Sequence, residues 1–184
     1  GVDKIQEESA KVTKLTDKIT DYLAGLFSSG LLTEQQASQT AGLMYVLGDV
    51  ERIGNLSAGI ALSMKEKETN QYKYSQEAMD ELAKCLKTLE KMFDSATKAL
   101  RGDTTVELEK LMKRKDKIVN LDIMMRKSHI QRVNKGKCKA SLTTPFTNIL
   151  HLIDRMGNSC INLADAATNE VALKYFLPKD EMTM

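Results

Sequence analysis

The chain has no tryptophan and only two prolines among 184 residues, and aromatic side chains make up 5%. That poverty speaks against a sheet-rich fold, which draws on aromatic and β-branched residues. Cysteine is also scarce. Cys85, Cys138 and Cys160 are odd in number and lack a C-x-x-C spacing, which excludes a disulfide scaffold or zinc ribbon and points to a reducing compartment. No apolar run approaches the roughly 20 residues that span a bilayer, and the start of the chain carries no signal peptide. The net charge is +2, from 27 basic and 25 acidic residues, so charge gives no case for a nucleic-acid partner. Neither a P-loop nor a G-x-G-x-x-G run occurs. The only histidines, His129 and His151, have no second ligand at helical spacing, so a zinc site or catalytic triad finds little support.

What is present is helical. Hydrophobic residues reach 42% and Met numbers 10, a profile suited to helices packed through Leu, Ile, Ala and Met. The spacing of apolar residues predicts five long helices. The first runs from Asp3 to Phe27, with Ile5, Val12, Leu15, Ile19, Leu23 and Leu26 inward, and Ser28-Ser29-Gly30 stops it. Thr33 and Gln36 form a capping box that opens a second helix reaching Lys65. A third spans Tyr72 to Leu100, with Thr69 and Asn70 as candidate caps and Ala78, Leu82, Cys85, Leu89, Met92, Phe93 and Ala96 inward. Thr104 and Glu107 make a second capping box for a fourth helix to Asn134, with Leu108, Leu111, Ile118, Leu121, Met125 and Ile130 inward. Pro145 marks the start of a fifth, ending near Tyr175. Helices of this length bury their stripes side by side, so the fold expected is all-α, an elongated antiparallel helical bundle.

One stretch of the second helix organises the rest. Its inward stripe reads Met44, Leu47, Glu51, Gly54, Ala58, Ala61, which puts a carboxylate where an apolar residue is expected. The run Glu51-Arg52-Ile53-Gly54-Asn55 returns as Asp154-Arg155-Met156-Gly157-Asn158, each residue 103 positions after its counterpart. A second pair, Asp17-Lys18-Ile19-Thr20-Asp21 and Asp116-Lys117-Ile118-Val119-Asn120, repeats 99 positions apart. Helices one and two therefore correspond to four and five, and the chain reads as a duplication. Helix three has no earlier counterpart. The simplest unit is a three-helix bundle used twice, with the first helix of repeat one missing: residues 1–66 form the truncated first repeat and 67–184 the second. The start at Gly1 suggests a piece of something longer.

The duplicated segments set acids and amides four residues apart, on one helical face. Asp17 and Asp21 with Glu51 and Asn55 offer three carboxylates and one amide. Asp116 and Asn120 with Asp154 and Asn158 offer two of each. Facing pairs of this kind suit a hard or borderline cation. The alternative is structural, with Glu51 and Asp154 paired to Lys18 and Lys117 and the Asn side chains bonded between helices. Gly54 and Gly157 in mid-helix imply close helix approach. A carboxylate-bridged metal enzyme would want Glu-x-x-His pairs, but Arg126 and Asn148 stand three residues before the two histidines.

The sequences Glu-Arg-Ile-Gly-Asn-x-x-x-Gly-Ile-Ala and Asp-Arg-Met-Gly-Asn-x-x-x-Asn-Leu-Ala resemble the twice-repeated signature of PhoU-like domains. The resemblance implies two three-helix bundles and a role in controlling phosphate uptake. PhoU proteins are negative regulators that contact the phosphate transporter and the sensor kinase of phosphate starvation. Similar domains form the cytoplasmic carboxyl-terminal part of bacterial sodium-dependent phosphate (Na/Pi) cotransporters, and this chain resembles that second case. It is expected to be a regulatory domain without chemistry of its own. It would lie on the cytoplasmic side of the plasma membrane as part of a larger integral membrane protein, with the membrane transporter domain as partner in the same full-length chain and homo-oligomers as a further contact. A stand-alone cytoplasmic regulator is the alternative. Some family members bind iron or other metal clusters. Carried over by position, the metal ligands would be Asp17, Asp21 and Glu51 in repeat one, and Asp116 and Asp154 in repeat two, where Asn replaces the second acid. No other cofactor is implied.

Overall fold

The computed structural model describes residues 1–69, 74–103 and 105–168. Among these residues there are five long helices: α1, Val2–Ser28; α2, Glu34–Thr69; α3, Gln76–Leu100; α4, Leu108–Asn134; and α5, Thr143–Thr168. A single turn of 3-10 helix, Ala140–Leu142, precedes α5. Among the described residues there is no strand, and the fold is the all-α helical bundle that the sequence predicts.

Local chemistry accounts for most helix ends. The Thr33 hydroxyl accepts from the Gln36 amide N–H at 3.2 Å, and the Gln36 side chain accepts from the Thr33 N–H at 3.0 Å. This reciprocal cap opens α2. Gly30, Gly102 and Gly136 follow the ends of α1, α3 and α4 with φ of 67°, 85° and 67°, the left-handed conformation that glycine adopts without penalty.

Four boundaries differ from expectation. Helix α2 runs past Lys65 to Thr69, so Thr69 belongs to α2 and does not cap α3. Helix α3 begins at Gln76 because Ser75 caps it, accepting from the Ala78 N–H. Glu107 occupies the cap position of α4 without a capping side-chain bond. Pro145 is the third residue of α5 rather than the first, still within the turn whose N–H groups have no helical partner. Asn70, Tyr72, Thr104 and the stretch from 169 to Tyr175 lie outside the described residues.

Helix α1 packs along α2, α2 along α5, and α3 along both α4 and α5. The densest core belongs to the α3–α4–α5 unit. Leu82, Cys85, Leu89, Met92 and Ala96 of α3 meet Leu111, Ile118 and Met125 of α4 and Phe146, Ile149, Ile153, Cys160 and Leu163 of α5. Cys85 and Cys160 are buried and Cys138 is half-buried, all as free thiols. Phe93 and Ile130, expected inward, are exposed instead. Phe93 stands one position past Met92 and Ile130 one position past His129, and those two residues take the inward places. Met125 and Met92 fill the core as expected, whereas Met112 and Met124 are exposed.

In α1 the buried residues are Ser9, Thr16 and Leu23, while Ile5, Leu15 and Ile19 stay exposed. Ser9, Thr16 and Leu23 each stand 102 positions before Leu111, Ile118 and Met125 of α4. The burial pattern thus aligns α1 with α4 about one helical turn away from the 99-residue offset of the acidic segments. Asp17-to-Asp21 and Asp116-to-Asn120 share a face but not a level.

Candidate functional site

The duplicated motif forms the spine of the molecule, where α2 and α5 run antiparallel. Asp49, at 5% exposure, is the buried carboxylate of α2. Its oxygens accept from Nδ2 of Asn162 in α5 at 3.2 and 3.4 Å. Ten residues further along α2, a Cβ on Gly59 would stand 3.4 Å from a methyl of Leu152. The two contacts are equivalents: a step of 103 residues carries Asp49 to Leu152 and Gly59 to Asn162. An approximate two-fold axis therefore passes between α2 and α5, and each copy offers the same patch to the other, as in an isologous dimer interface. Ser63 and Asn148, 3.4 Å apart, extend the same register.

Both motif glycines mark close approach, to the flanking helix rather than across the spine. A Cβ on Gly54 would lie 3.4 Å from Val12 of α1, and one on Gly157 would lie 3.1 Å from Lys115 of α4. Beside Gly54, the Ser9 hydroxyl donates to Asn55 Oδ1 at 3.3 Å, so an interhelical bond by a motif Asn is present in repeat one.

The candidate ligands are spread out. Asp17 and Asp21 are exposed on α1 and Asp116 on α4. Glu51 is half-buried rather than inward, because α2 turns Asp49, Ile53 and Leu56 to its neighbours instead. Glu51 lies in a surface pocket of about 500 Å³ with Arg52, Asn55 and Arg155. Asp154 forms an ion pair with Lys115, whose side chain is only 12% exposed. The expected partner was Lys117, which lies two positions further on and is exposed. Among the described residues no three His, Cys, Asp or Glu side chains converge as a metal site. The acids as placed do not form a ligand set for iron: in repeat two the cation already on Asp154 is a lysine ammonium.

A polar cluster at the start of α5 was not singled out from sequence. His129 is buried, its Nε2 lies 2.9 Å from the Thr143 hydroxyl, and its ring stacks on Phe146 at 5.1 Å. The Cys138 sulfur lies 3.8 Å from Nδ1. Burial, and then the Arg132 charge, hold the His129 pKa below its ordinary value. Arg132, also buried, donates from Nη1 to Ser128 at 2.6 Å and faces Glu81 and Glu77 at 3.5 and 3.8 Å. The signal was available: Leu111, Ile118, Met125 and Arg132 form one seven-residue row. The cluster joins α4 to α3 and α5, and nothing in it aligns a nucleophile with a base over open space.

Residues 82–167 match the PhoU domain. The match spans nearly all of α3 with α4 and α5, the unit with the densest core. PhoU is a regulatory, non-enzymatic domain family, and the match suggests a role in phosphate transport regulation. Comparison with curated proteins and with solved structures returns no match. Helices α1 and α2 fall outside the matched residues, and α2 carries the run Glu51-Arg52-Ile53-Gly54-Asn55 that recurs in α5 as Asp154-Arg155-Met156-Gly157-Asn158, on the other side of the two-fold spine. No helix among the described residues is long and apolar enough to cross a membrane.

Proposed function

We propose that this chain is a PhoU-like regulatory and interaction domain of a sodium-dependent phosphate cotransporter, modulating phosphate uptake at the cytoplasmic face. The observation that carries the reading is the PhoU match to residues 82–167, joined to the second copy of its signature in α2. Long helices exposing mixed charge and apolar stripes suit docking to another protein surface. The partner is the membrane transporter domain of the same full-length protein, and control passes through contacts between folded surfaces.

The test is sodium-dependent uptake of labelled phosphate in cells expressing the full reading frame, with and without residues 1–184. The reading expects membrane-spanning segments upstream of Gly1, and transport that persists on deletion but no longer adjusts to cellular phosphate. An upstream frame of one soluble helix behind an initiator Met would move the assignment to a stand-alone regulator. Uptake that still adjusts normally after deletion would overturn the regulatory role.

A further inference from the structure

The step of 102 residues that matches the buried rows of α1 and α4 also matches their outer faces, and there the two helices differ. Met112, Val119, Ile123 and Ile130 of α4 are exposed at 53%, 39%, 60% and 56%. Spaced seven, four and seven residues apart, they make one apolar stripe about 27 Å long, on a side that neither α3 nor α5 covers. The equivalent residues of α1 are Ala10, Asp17, Asp21 and Ser28, all exposed. One repeat turns hydrophobic side chains to solvent where the other turns two carboxylates.

Charge follows the same division. Helix α4 holds eight Lys and Arg against three Asp and Glu, whereas α1 holds four basic against five acidic residues. Arg126 and Lys127 stand three and four residues from both Ile123 and Ile130, so they flank the stripe on either side. Of the three acids, Asp122 is paired with Arg126 and Glu109 with Lys113, each at 2.7 Å. Asp116, between Met112 and Val119, has no ion pair among the described residues. Lys135, Lys137 and Lys139, all exposed, follow the carboxyl end of the helix.

We propose that the outer face of α4 docks on a membrane surface, and that its occupant is an anionic lipid bilayer. The helix lies in the plane of the interface, with Met112, Val119, Ile123 and Ile130 entering the headgroup region and the flanking cations meeting lipid phosphates. Charge complementarity decides the occupant. A second copy of the chain seated stripe to stripe would oppose two basic helices, and a neutral surface would leave the cations without counter-charges. Because only α4 carries the stripe, the molecule meets the bilayer by that one edge. A stand-alone regulator and a transporter-linked domain would present this face alike, so its test is independent of the uptake experiment.

The test is flotation of the chain with vesicles of phosphatidylcholine alone and of phosphatidylcholine mixed with phosphatidylglycerol. The proposal expects saturable binding to the mixed vesicles, weakened by salt and roughly tenfold or more weaker on phosphatidylcholine alone. Val119→Asp with Ile123→Asp, which gives α4 the residues of α1, should weaken binding by a similar factor. Asp116→Lys should strengthen it, and Leu31→Glu, at a remote exposed site, should leave it unchanged. All these positions are already exposed, so circular dichroism should show native helicity in each variant. No binding to the mixed vesicles by the folded chain would overturn the proposal, as would binding that the double variant and Asp116→Lys leave unaltered. Analytical ultracentrifugation without lipid covers the other occupant: a dimer dissolved by the double variant would assign the stripe to a second copy and overturn it too.

Discussion

Asp49 of α2 lies against Asn162 of α5, the amide reaching both carboxylate oxygens at 3.2 and 3.4 Å. Their repeat equivalents, Leu152 and Gly59, are also in contact. One copy has a polar pair where the other has a methyl packed on a glycine. The duplication has thus kept the geometry of the contact and changed its chemistry.

Removing the amide should be costly because Asp49 is buried. Asn162→Ala leaves a buried carboxylate without its donor, a loss of about 1–3 kcal/mol. Asn162→Asp, which sets two acids together, should lose more. Urea unfolding at neutral pH measures both, and a null effect for Asn162→Ala would show that water replaces the amide there.

The mid-helix glycines should respond unequally to alanine. At Gly59 the new methyl meets Leu152 at 3.4 Å, ordinary van der Waals contact, so Gly59→Ala should gain about 0.5–1 kcal/mol from helix propensity. At Gly157 the methyl would press Lys115 at 3.1 Å, and Lys115 is tied to Asp154. Gly157→Ala should gain less or lose stability in the native background. It should gain more once Lys115→Ala has removed the obstruction. Thermal melts of the three variants and the double mutant test this.

The sequence told most about helices and least about which way each one turns. Helix number and type followed from apolar spacing, and ends followed where a cap chemistry was written out, as at Thr33 and Gln36. Rotation was harder. Helix α2 has neighbours on two sides, α1 and α5, so no single stripe describes it, and the carboxylate it buries is Asp49 rather than Glu51. In α1 the apolar stripe was read as core, yet Ile5 and Ile19 stay exposed, because periodicity reports a face and not whether that face is covered. The acids singled out as ligands share faces of single helices, a property of spacing. Convergence across helices depends on relative level, and the burial pattern sets α1 against α4 one turn away from the acidic match.

Thiol chemistry should distinguish the cysteines. Burial pushes Cys85 up to about 11 and Cys160 up to about 12, with nearby carboxylates adding to the effect. At pH 8 a disulfide reagent should react with Cys138 alone in the folded protein and with all three in denaturant. The folded state holds these protons more tightly than the unfolded chain. The stability they contribute is therefore complete below pH 9 and lost progressively toward pH 11 to 12.

Acid should act through His129. Its pKa is lowered from 6.5, first by burial and then by Arg132, so the unfolded chain takes up a proton more readily than the folded one. The contribution of the neutral ring is present above pH 6.5 and is lost as pH falls below it. The urea midpoint should therefore drop between pH 7 and pH 5 by more in the native protein than in His129→Phe, which keeps an aromatic ring beside Phe146. Equal drops would place the acid sensitivity elsewhere.

The two-fold spine is tested most directly by a short thiol-to-thiol cross-linker applied to four cysteine pairs in a Cys138→Ser background. The pairs Asp49→Cys with Asn162→Cys and Gly59→Cys with Leu152→Cys should both cross-link rapidly within one chain. The exchanged pairs, Gly59→Cys with Asn162→Cys and Asp49→Cys with Leu152→Cys, should not, since each is displaced by ten residues, about 15 Å along a helix. Rapid cross-linking of the exchanged pairs, with none in the first two, would contradict the antiparallel register and the duplication built on it.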